Sequence, residues 1–285
     1  MSIQIRKAER RKARLRLGIA APSGAGKTFS SLLMAFGLGG KVGLIDTEHG
    51  SGDLYAHLGD YDIINIEAPY EVSKYIQAIK AFEQAGYSTI IIDSLSHAWA
   101  GDGGLLEKQG KIADRGGNGY AAWRTITPEH NNLVDAMLKS PCHIIATMRA
   151  KQDYVLETND KGKQTPKKVG LAPVQRDGME YEFTVMLDID MQHIASASKD
   201  RTGLFDGKFF KITPDTGNTL LSWLETGADF YLSEQQQMDI TTLANDVGIS
   251  TDDICKTAKV AKLGDIEAIR FDGLLAWINS QRKAA

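Results

Sequence analysis

Residues 18–31, "GIAAPSGAGKTFSS", decide the fold class of this chain. The stretch fits the phosphate-loop pattern G-x-x-x-x-G-K-[ST] except at its first position, where Ala21 replaces glycine. That position ends a strand and need not touch phosphate, so alanine is compatible with the pattern. An apolar run precedes the glycines and a helical pattern follows them. The sequence therefore predicts a strand, a phosphate-binding turn, and a helix whose positive end faces the anion.

The residues of this loop have distinct expected roles. Lys27 is expected to reach the β and γ phosphates of ATP, and the Thr28 hydroxyl to bind Mg²⁺. The alternative is a glycine turn that only resembles the motif, and the consecutive Gly-Lys-Thr between a strand and a helix argues against it. The predicted nucleotide contacts of the segment are Ala21, Pro22, Ser23, Gly24, Ala25, Gly26, Lys27, Thr28 and Phe29.

A second segment, "YSTIIIDSLSHAW" at residues 87–99, agrees with the first. It is an apolar strand that ends in Asp93, the place where P-loop enzymes put the carboxylate that holds Mg²⁺ through water. An aspartate at a strand end is common, but together with the loop it predicts an ATP hydrolase that uses Mg²⁺.

The composition of the chain limits its domain number, its partners and its cellular compartment. With 285 residues and 42% hydrophobic content, the chain can bury one sizeable core and a small second domain. The net charge of -3 gives no global attraction to nucleic acid, so such binding requires local basic patches. Cys142 and Cys255 lie far apart, which suits free thiols in a reducing compartment. No window approaches the length of a membrane span, so we expect a cytoplasmic protein with no membrane partner.

Short apolar runs alternate with amphipathic segments, which predicts an α/β fold with a mostly parallel sheet flanked by helices. The expected strands cover residues 15–20, 42–46, 63–66, 89–93, 143–147, 183–190, 193–198 and 208–212. The expected helices cover residues 28–36, 71–85 and 128–138. Apolar and polar residues partly alternate on both sides of "NDKGK", residues 159–163. This pattern predicts a β-hairpin that projects from the sheet.

The hydrophobic pattern of the sequence changes after residue 230, where helical patterns follow one another without a strand signal. Ser233 and Gln236 fit a capping box, and "FDGLLAWINSQ" at residues 271–281 has helical periodicity. We therefore predict a P-loop domain over residues 1–230, which includes the basic stretch at residues 6–16, and a small helical domain over residues 231–285.

Asp93 is followed by serine, so the base that activates water must come from another segment. The stretch "GLIDTEHGSGDLYA" at residues 43–56 resembles the RecA family, in which a strand ends in a D-x-E-H segment. The resemblance implies a RecA-like P-loop core in which Glu48 activates water at the γ phosphate. The alternative is that Glu48 lies on an ordinary surface loop.

Two further segments carry the same resemblance. In "SASKDRTGLF", residues 196–205, Lys199 and Arg201 match a K-x-R pair that enters a neighbouring subunit's ATP site in RecA-like motors. This implies head-to-tail assembly into a ring or filament, whereas a solvated basic turn is the alternative. In "HIIATMRAKQDY", residues 143–154, the glutamine usual in RecA is absent, and Thr147 or Arg149 takes the place of the γ-phosphate sensor.

The resemblance implies DNA contacts on the two segments that follow the strand of Asp93 and the strand of the sensor, and both segments are basic here. The first, residues 101–123, is expected to be a glycine-rich loop, with the alternative that Tyr120 and Trp123 begin the next helix and pack into the core. The second is the hairpin, where a solvated charge run would look the same. The candidate DNA contacts are Lys108, Lys111, Arg115, Tyr120, Lys161, Lys163, Lys167 and Lys168.

The motifs "PSGAGKT", "IIIDSLSHAW", "ATMRAK", "QRDGMEYEF" and "KDRTGLF" most resemble phage-encoded P-loop proteins often labelled AAA, which include the Sak-type single-strand-annealing recombinases. The resemblance implies annealing or strand exchange of single-stranded DNA in the bacterial host cytoplasm, beside a single-strand-binding protein. A P-loop protein whose nucleotide state controls assembly with a protein partner, without DNA, is the alternative. A small-molecule kinase is disfavoured because no arginine-rich lid is evident.

Overall fold

The computed structural model describes residues 7–115, 119–158, 164–229 and 231–281. Contacts divide the chain into two compact units. One is Arg14–Trp223, and the other joins residues 7–13 to residues 224–281.

The larger unit is built on one mixed sheet with the strand order β3-β2-β4-β5-β1-β7-β8-β9. Neighbours from β3 to β7 are parallel, whereas β7, β8 and β9 pair antiparallel. The strands are β1 (Arg16–Ala21), β2 (Val42–Asp46), β3 (Asp62–Asn65), β4 (Thr89–Asp93), β5 (His143–Thr158), β6 (Gln164–Pro173), β7 (Val185–Ile189), β8 (Ala195–Asp200) and β9 (Phe209–Phe210).

The central strands β1, β2 and β4 are buried at every position, which explains their nearly continuous apolar sequences. The flanking helices are α1 (Lys27–Leu38), α2 (Val72–Gln84), α3 (Leu95–Ala100), α4 (Leu105–Asp114), α5 (Gly119–Lys139) and α6 (Pro214–Leu224). The α/β fold class expected from the sequence is confirmed, and β2 and β4 have the bounds that were predicted.

Glycines permit the closest packing around this sheet. A Cβ atom on Gly37 of α1 would lie 1.9 Å from the carbonyl oxygen of Pro214 and 2.8 Å from the Cα atom of Gly217, both in α6. A Cβ atom on Gly43 of β2 would lie 2.6 Å from the Phe82 ring of α2. These positions exclude any larger side chain unless the backbone moves.

The expectation of a loop over residues 101–123 is wrong. Most of this segment forms α4 and the first turn of α5, and α5 begins nine residues before the helix expected at Pro128. Trp123 packs on Trp99 of the core with ring centroids 5.8 Å apart, so the core alternative holds for that residue.

The predicted hairpin is present as β5 and β6, which pair antiparallel from Ala150–Pro173 to Thr158–Gln164. Strand β5 is longer than expected because it continues from the parallel sheet straight into this hairpin. The tip, residues 159–163, lies outside the described residues.

The smaller unit contains the helices α7 (Glu234–Val247), α8 (Thr251–Ala258) and α9 (Phe271–Gln281). The capping box of Ser233 and Gln236 is present, and Leu274 and Ile278 of α9 are buried in a separate apolar core. Within the described ranges, no helix is long and apolar enough to cross a membrane.

The basic N-terminal stretch groups differently from the predicted division at residue 230. Residues up to Ala13 cluster with the smaller unit because Lys12 and Ala13 donate backbone hydrogen bonds to residues 228 and 224. The Lys12 ammonium also pairs with Asp229 at 2.7 Å and with Glu225 at 3.5 Å.

Candidate nucleotide-binding site

The phosphate loop connects β1 to α1 at the edge of the sheet where the parallel strands end. Gly24 and Gly26 have φ angles of 81° and 85°, the left-handed region that favours glycine, so the motif's glycines are required by the backbone. The Lys27 ammonium donates to the carbonyl oxygens of Ala21 at 3.2 Å and Pro22 at 3.1 Å. Burial lowers the pKa of Lys27, although the carboxylates of Asp93 and Glu48 act in the opposite direction.

Asp93 is the buried centre of the site, with 1% of its surface exposed. The hydroxyl of Thr28 donates to Asp93 Oδ2, and the hydroxyl of Thr147 donates to Asp93 Oδ1 at 2.5 Å. The register of β4 and β5 explains the second contact, since Ile92 lies opposite Ala146 and the next residues are Asp93 and Thr147. Burial raises the pKa of Asp93, and the two hydroxyl hydrogen bonds offset part of that rise.

The oxygens of Thr28 and Asp93 are hard ligands of the kind that Mg²⁺ prefers. They come together at the start of α1, where the backbone N–H groups of a helix favour an anion. The donor set therefore fits Mg²⁺ bound together with phosphate oxygens.

Glu48 lies beside this pair, just after β2. Asp46 holds the segment by accepting from the backbone N–H groups of Glu48 at 2.6 Å and Gly52 at 2.8 Å. The Glu48 carboxylate accepts two hydrogen bonds from Arg149, at 3.0 Å from Nε and 2.6 Å from Nη2, and a third from the Ser94 hydroxyl at 3.2 Å. Burial by itself raises the pKa of Glu48, but Arg149, His97 and Ser94 together outweigh it, so the pKa lies below its ordinary value of 4.5.

Strand β5 thus supplies two polar contacts to the site. Thr147 contacts Asp93, and Arg149 contacts Glu48, two residues further along the strand. Together with the loop, these contacts form one cluster of two carboxylates, two cations and two hydroxyls at the edge of the sheet.

A family model described as an AAA domain matches residues 13–217. The chain belongs to the AAA domain family. A search of curated proteins finds no match. Among solved structures, "Crystal structure of the RadB recombinase" matches at 16% sequence identity with a TM-score of 0.40, and the match covers 72% of this chain and 90% of that chain.

Lys199 and Arg201 of the AAA domain lie at the end of β8, and both side chains donate to the carbonyl oxygen of Tyr181. The Lys199 ammonium donates to the carbonyl oxygens of Glu180 at 2.9 Å and Tyr181 at 2.6 Å, and Arg201 Nη2 donates to Tyr181 at 3.0 Å. Lys199 also lies 5.8 Å from the centroid of the Tyr181 ring, which is 69% exposed as a residue. The pair is therefore a fixed basic surface, and its action on a neighbouring subunit stays a prediction.

The first set of candidate DNA contacts is held by acidic partners. Lys108 pairs with Glu129 at 2.6 Å, and Lys111 pairs with Glu107 one helical turn away. Arg115 follows the last residue of α4. The side chain of Tyr120 and those of Lys167 and Lys168 lie outside the described residues, as do Lys161 and Lys163 entirely.

The structure of the AAA domain also identifies two neighbours of the loop, Tyr55 and His193, that the sequence did not predict. Phe29, 39% exposed, meets Tyr55 edge-to-face with ring centroids 6.1 Å apart, beside the start of α1. His193, in the turn between β7 and β8, contacts the carbonyl oxygen of Ala25. The sequence could have indicated Tyr55, because it follows Glu48 by seven residues in the same segment. No sequence signal links His193 to the loop.

Proposed function

We propose that this AAA domain protein binds ATP with Mg²⁺ at the phosphate loop and hydrolyses it. The observation that carries the proposal is the cluster at the loop, in which Asp93 accepts from Thr28 and Thr147 while Glu48 lies beside it, held by Arg149. Hydrolysis requires a base and an anion site. The glutamate can act as the base, and the phosphate-binding turn supplies the anion site.

Each residue has one part in this proposal. The loop N–H groups and Lys27 bind the phosphates, and the oxygens of Thr28 and Asp93 hold Mg²⁺, which neutralises phosphate charge when bound. Glu48 is ionised at neutral pH, since its pKa lies below the ordinary value of 4.5, and we assign its carboxylate the role of taking a proton from water. We assign Thr147 and Arg149 the sensing of the terminal phosphate, because they contact Asp93 and Glu48.

Replacing Lys27 tests nucleotide binding. Lys27→Ala removes the mobile cation of the loop, and we expect weaker binding of ATP by roughly tenfold or more, measured by titration of a fluorescent ATP analogue. Lys139→Ala is the matched control, since that lysine makes an exposed pair with Asp135 on α5. Unchanged affinity of Lys27→Ala would remove this lysine from the site.

We further propose that the ATPase acts on single-stranded DNA, as the resemblance to Sak-type phage recombinases implies. The supporting feature is strand β5, which carries Thr147 and Arg149 at the site and runs without a break into the hairpin. The hairpin tip and its descending arm contain Lys161, Lys163, Lys167 and Lys168 in sequence. A conformational change caused by loss of the terminal phosphate would then be transmitted along β5 to the basic hairpin.

Anisotropy of a labelled single-stranded oligonucleotide tests this step. The protein is titrated with Mg²⁺ and either no nucleotide, ADP or a non-hydrolysable ATP analogue, and we expect tight binding only with the analogue. The double variant Lys161→Ser with Lys163→Ser should weaken this binding, whereas Lys256→Ser in the smaller unit should not. Binding that ignores the nucleotide would contradict the coupling.

We propose that the active form is a ring or filament in which Lys199 and Arg201 act on the ATP of the neighbouring subunit, in the host cytoplasm and beside a single-strand-binding protein. A variant lacking both side chains should lose hydrolysis. Mixing it with Lys27→Ala protein should restore part of the activity, because each variant supplies what the other lacks. Full activity of the variant that lacks both side chains would contradict a role in catalysis.

A second candidate function is nucleotide-controlled assembly with a protein partner. The ion pairs of Lys108 and Lys111 favour it, since these lysines are already neutralised by glutamates on α5 and α4. It predicts an ATP-dependent change of oligomeric state by light scattering that single-stranded oligonucleotides leave unchanged.

A further inference from the structure

The turn between β7 and β8 lies against the phosphate loop because of how the sheet is ordered. Strands β1 and β7 pair in parallel, with Ala20 opposite Asp188. The chain leaves β1 into the phosphate loop and leaves β7 into the turn at residues 190–194, so the two segments pass the same edge of the sheet side by side.

This turn is fixed by its own hydrogen bonds. Asp190 Oδ1 accepts from the backbone N–H groups of Gln192 and Ile194, each at 2.9 Å. The backbone of Asp190 also exchanges bonds with the turn, since its carbonyl accepts from His193 N–H at 3.0 Å and its N–H donates to Ile194 at 3.0 Å. His193 has a φ angle of 63°, so the left-handed backbone at this position directs its ring out of the strand path.

The ring of His193 reaches the loop. Its Nδ1 atom lies 3.1 Å from the carbonyl oxygen of Ala25. A carbonyl oxygen only accepts, so Nδ1 carries the proton and donates. A Cβ atom on Gly26 would lie 3.4 Å from the same Nδ1, which places the ring directly over the Ala25–Gly26 peptide.

The position of this bond matters because a trans peptide directs its C=O and N–H groups to opposite sides. Because the carbonyl of Ala25 faces His193, the N–H of Gly26 faces away from His193, and we expect the anion on that side of the loop. The hydrogen bond also polarises the peptide and makes its N–H a better donor.

We infer that His193 is a positioning residue of the phosphate loop, which fixes the Ala25–Gly26 peptide for phosphate binding. The inference rests on the proposed nucleotide-binding function of the loop. A donor that shapes the loop acts on bound nucleotide before and during hydrolysis alike. Its loss should therefore raise KM for ATP about threefold to tenfold and leave kcat nearly unchanged.

Three substitutions separate the hydrogen bond from the backbone geometry. His193→Gly tolerates the left-handed backbone and removes the donor. His193→Asn also tolerates that backbone, and its side-chain N–H₂ group supplies a donor near the position of Nδ1. Gln192→Ala is the matched control, because it changes an exposed side chain of the same turn whose backbone bonds remain.

The experiment combines steady-state ATP hydrolysis with hydrogen–deuterium exchange of residues 22–28 in protein without nucleotide. We expect His193→Gly to raise KM with kcat retained and to speed exchange in the loop, while His193→Asn and Gln192→Ala behave like the wild type. If His193→Gly matches the wild type in both measurements, or if His193→Asn fails to restore them, the inference is overturned. If the wild type fails to use ATP, the proposed function falls, and exchange alone decides whether His193 orders the loop.

Discussion

The ion pair between Glu48 and Arg149 should contribute about 1 kcal/mol to the free energy of unfolding at neutral pH. Two unit charges about 4 Å apart attract by roughly 4 kcal/mol at an effective dielectric constant of about 20. Desolvation and side-chain entropy cancel most of this, and exposed pairs retain about 0.2–1 kcal/mol. Arg149 is 49% exposed but Glu48 only 23%, and the pair is bidentate, so we place it at the upper end of that range.

The pH dependence of this contribution follows from the lowered pKa of Glu48. A carboxyl group whose pKa is lower in the folded than in the unfolded state stabilises the fold above the unfolded value, here 4.5. That stabilisation is lost as the pH falls through the folded value, because Glu48 is then protonated and neutral. The coupling between Glu48 and Arg149 should therefore be constant between about pH 6 and pH 8 and fade below pH 4.5.

A double-mutant cycle of Glu48→Ala and Arg149→Ala measures this coupling by urea unfolding, followed by tryptophan fluorescence. The exposed pair of Asp135 and Lys139 on α5 is the control, with an expected coupling of about 0.3–0.5 kcal/mol. A coupling of Glu48 and Arg149 no larger than that of the control, or one that does not decline as the pH is lowered below 4.5, would refute the reasoning.

Three other substitutions probe the site and the sheet around it. Thr147→Val leaves one oxygen of buried Asp93 without its donor and should destabilise by about 1–3 kcal/mol, more at pH 8 than at pH 4, because burial raises the pKa of Asp93 and the penalty applies to its ionised form. Arg16→Met removes a buried side chain that donates to four carbonyl oxygens, at 2.5 to 3.0 Å, and should lower unfolding free energy by at least about 2 kcal/mol. Gly37→Ala places a Cβ atom 1.9 Å from a carbonyl oxygen of α6 and should cost about 1–3 kcal/mol, whereas Gly110→Ala in open space on α4 should stabilise slightly. Urea unfolding at the two pH values checks all three, and equal stability of Gly37→Ala and wild type would contradict the close packing of α1 on α6.

The sequence predicts this fold well where one local pattern suffices. Strands β2 and β4 are short apolar runs that end in Asp46 and Asp93, and both have the predicted bounds. The phosphate loop can be predicted from its residue spacing, because its backbone requires glycine at two positions. Gly24 and Gly26 have φ angles of 81° and 85°, which other residues rarely adopt. The final helix is found from its periodicity, because Leu274 and Ile278 lie one turn apart.

Prediction fails where tertiary packing overrides local composition. The glycines between residues 101 and 119 favour a loop, yet α4 and α5 form because Trp123 stacks on Trp99 and Leu105 is buried in the core. Pro128 is a strong helix-start signal but lies inside α5.

The contacts that complete the site are long-range and leave no trace in the sequence. Arg149 and Glu48 are 101 residues apart, and His193 and Ala25 are 168 residues apart. Each pair meets because two strands end at the same edge of the sheet, so the strand order had to be known first. The sequence could name Glu48 and Arg149 as candidates but not their contact.

Release of inorganic phosphate from ATP in the presence of Mg²⁺, compared between the wild type and Glu48→Gln, is the most direct test of the claim that this cluster hydrolyses ATP. The substitution keeps the size of the side chain and one acceptor oxygen, and it removes the negative charge and the basicity. We predict that turnover falls by about a hundredfold to ten-thousandfold while ATP affinity is retained. Hydrolysis by Glu48→Gln at the wild-type rate would contradict the assignment of Glu48 as the base, and absence of hydrolysis by the wild type would contradict the proposed function itself.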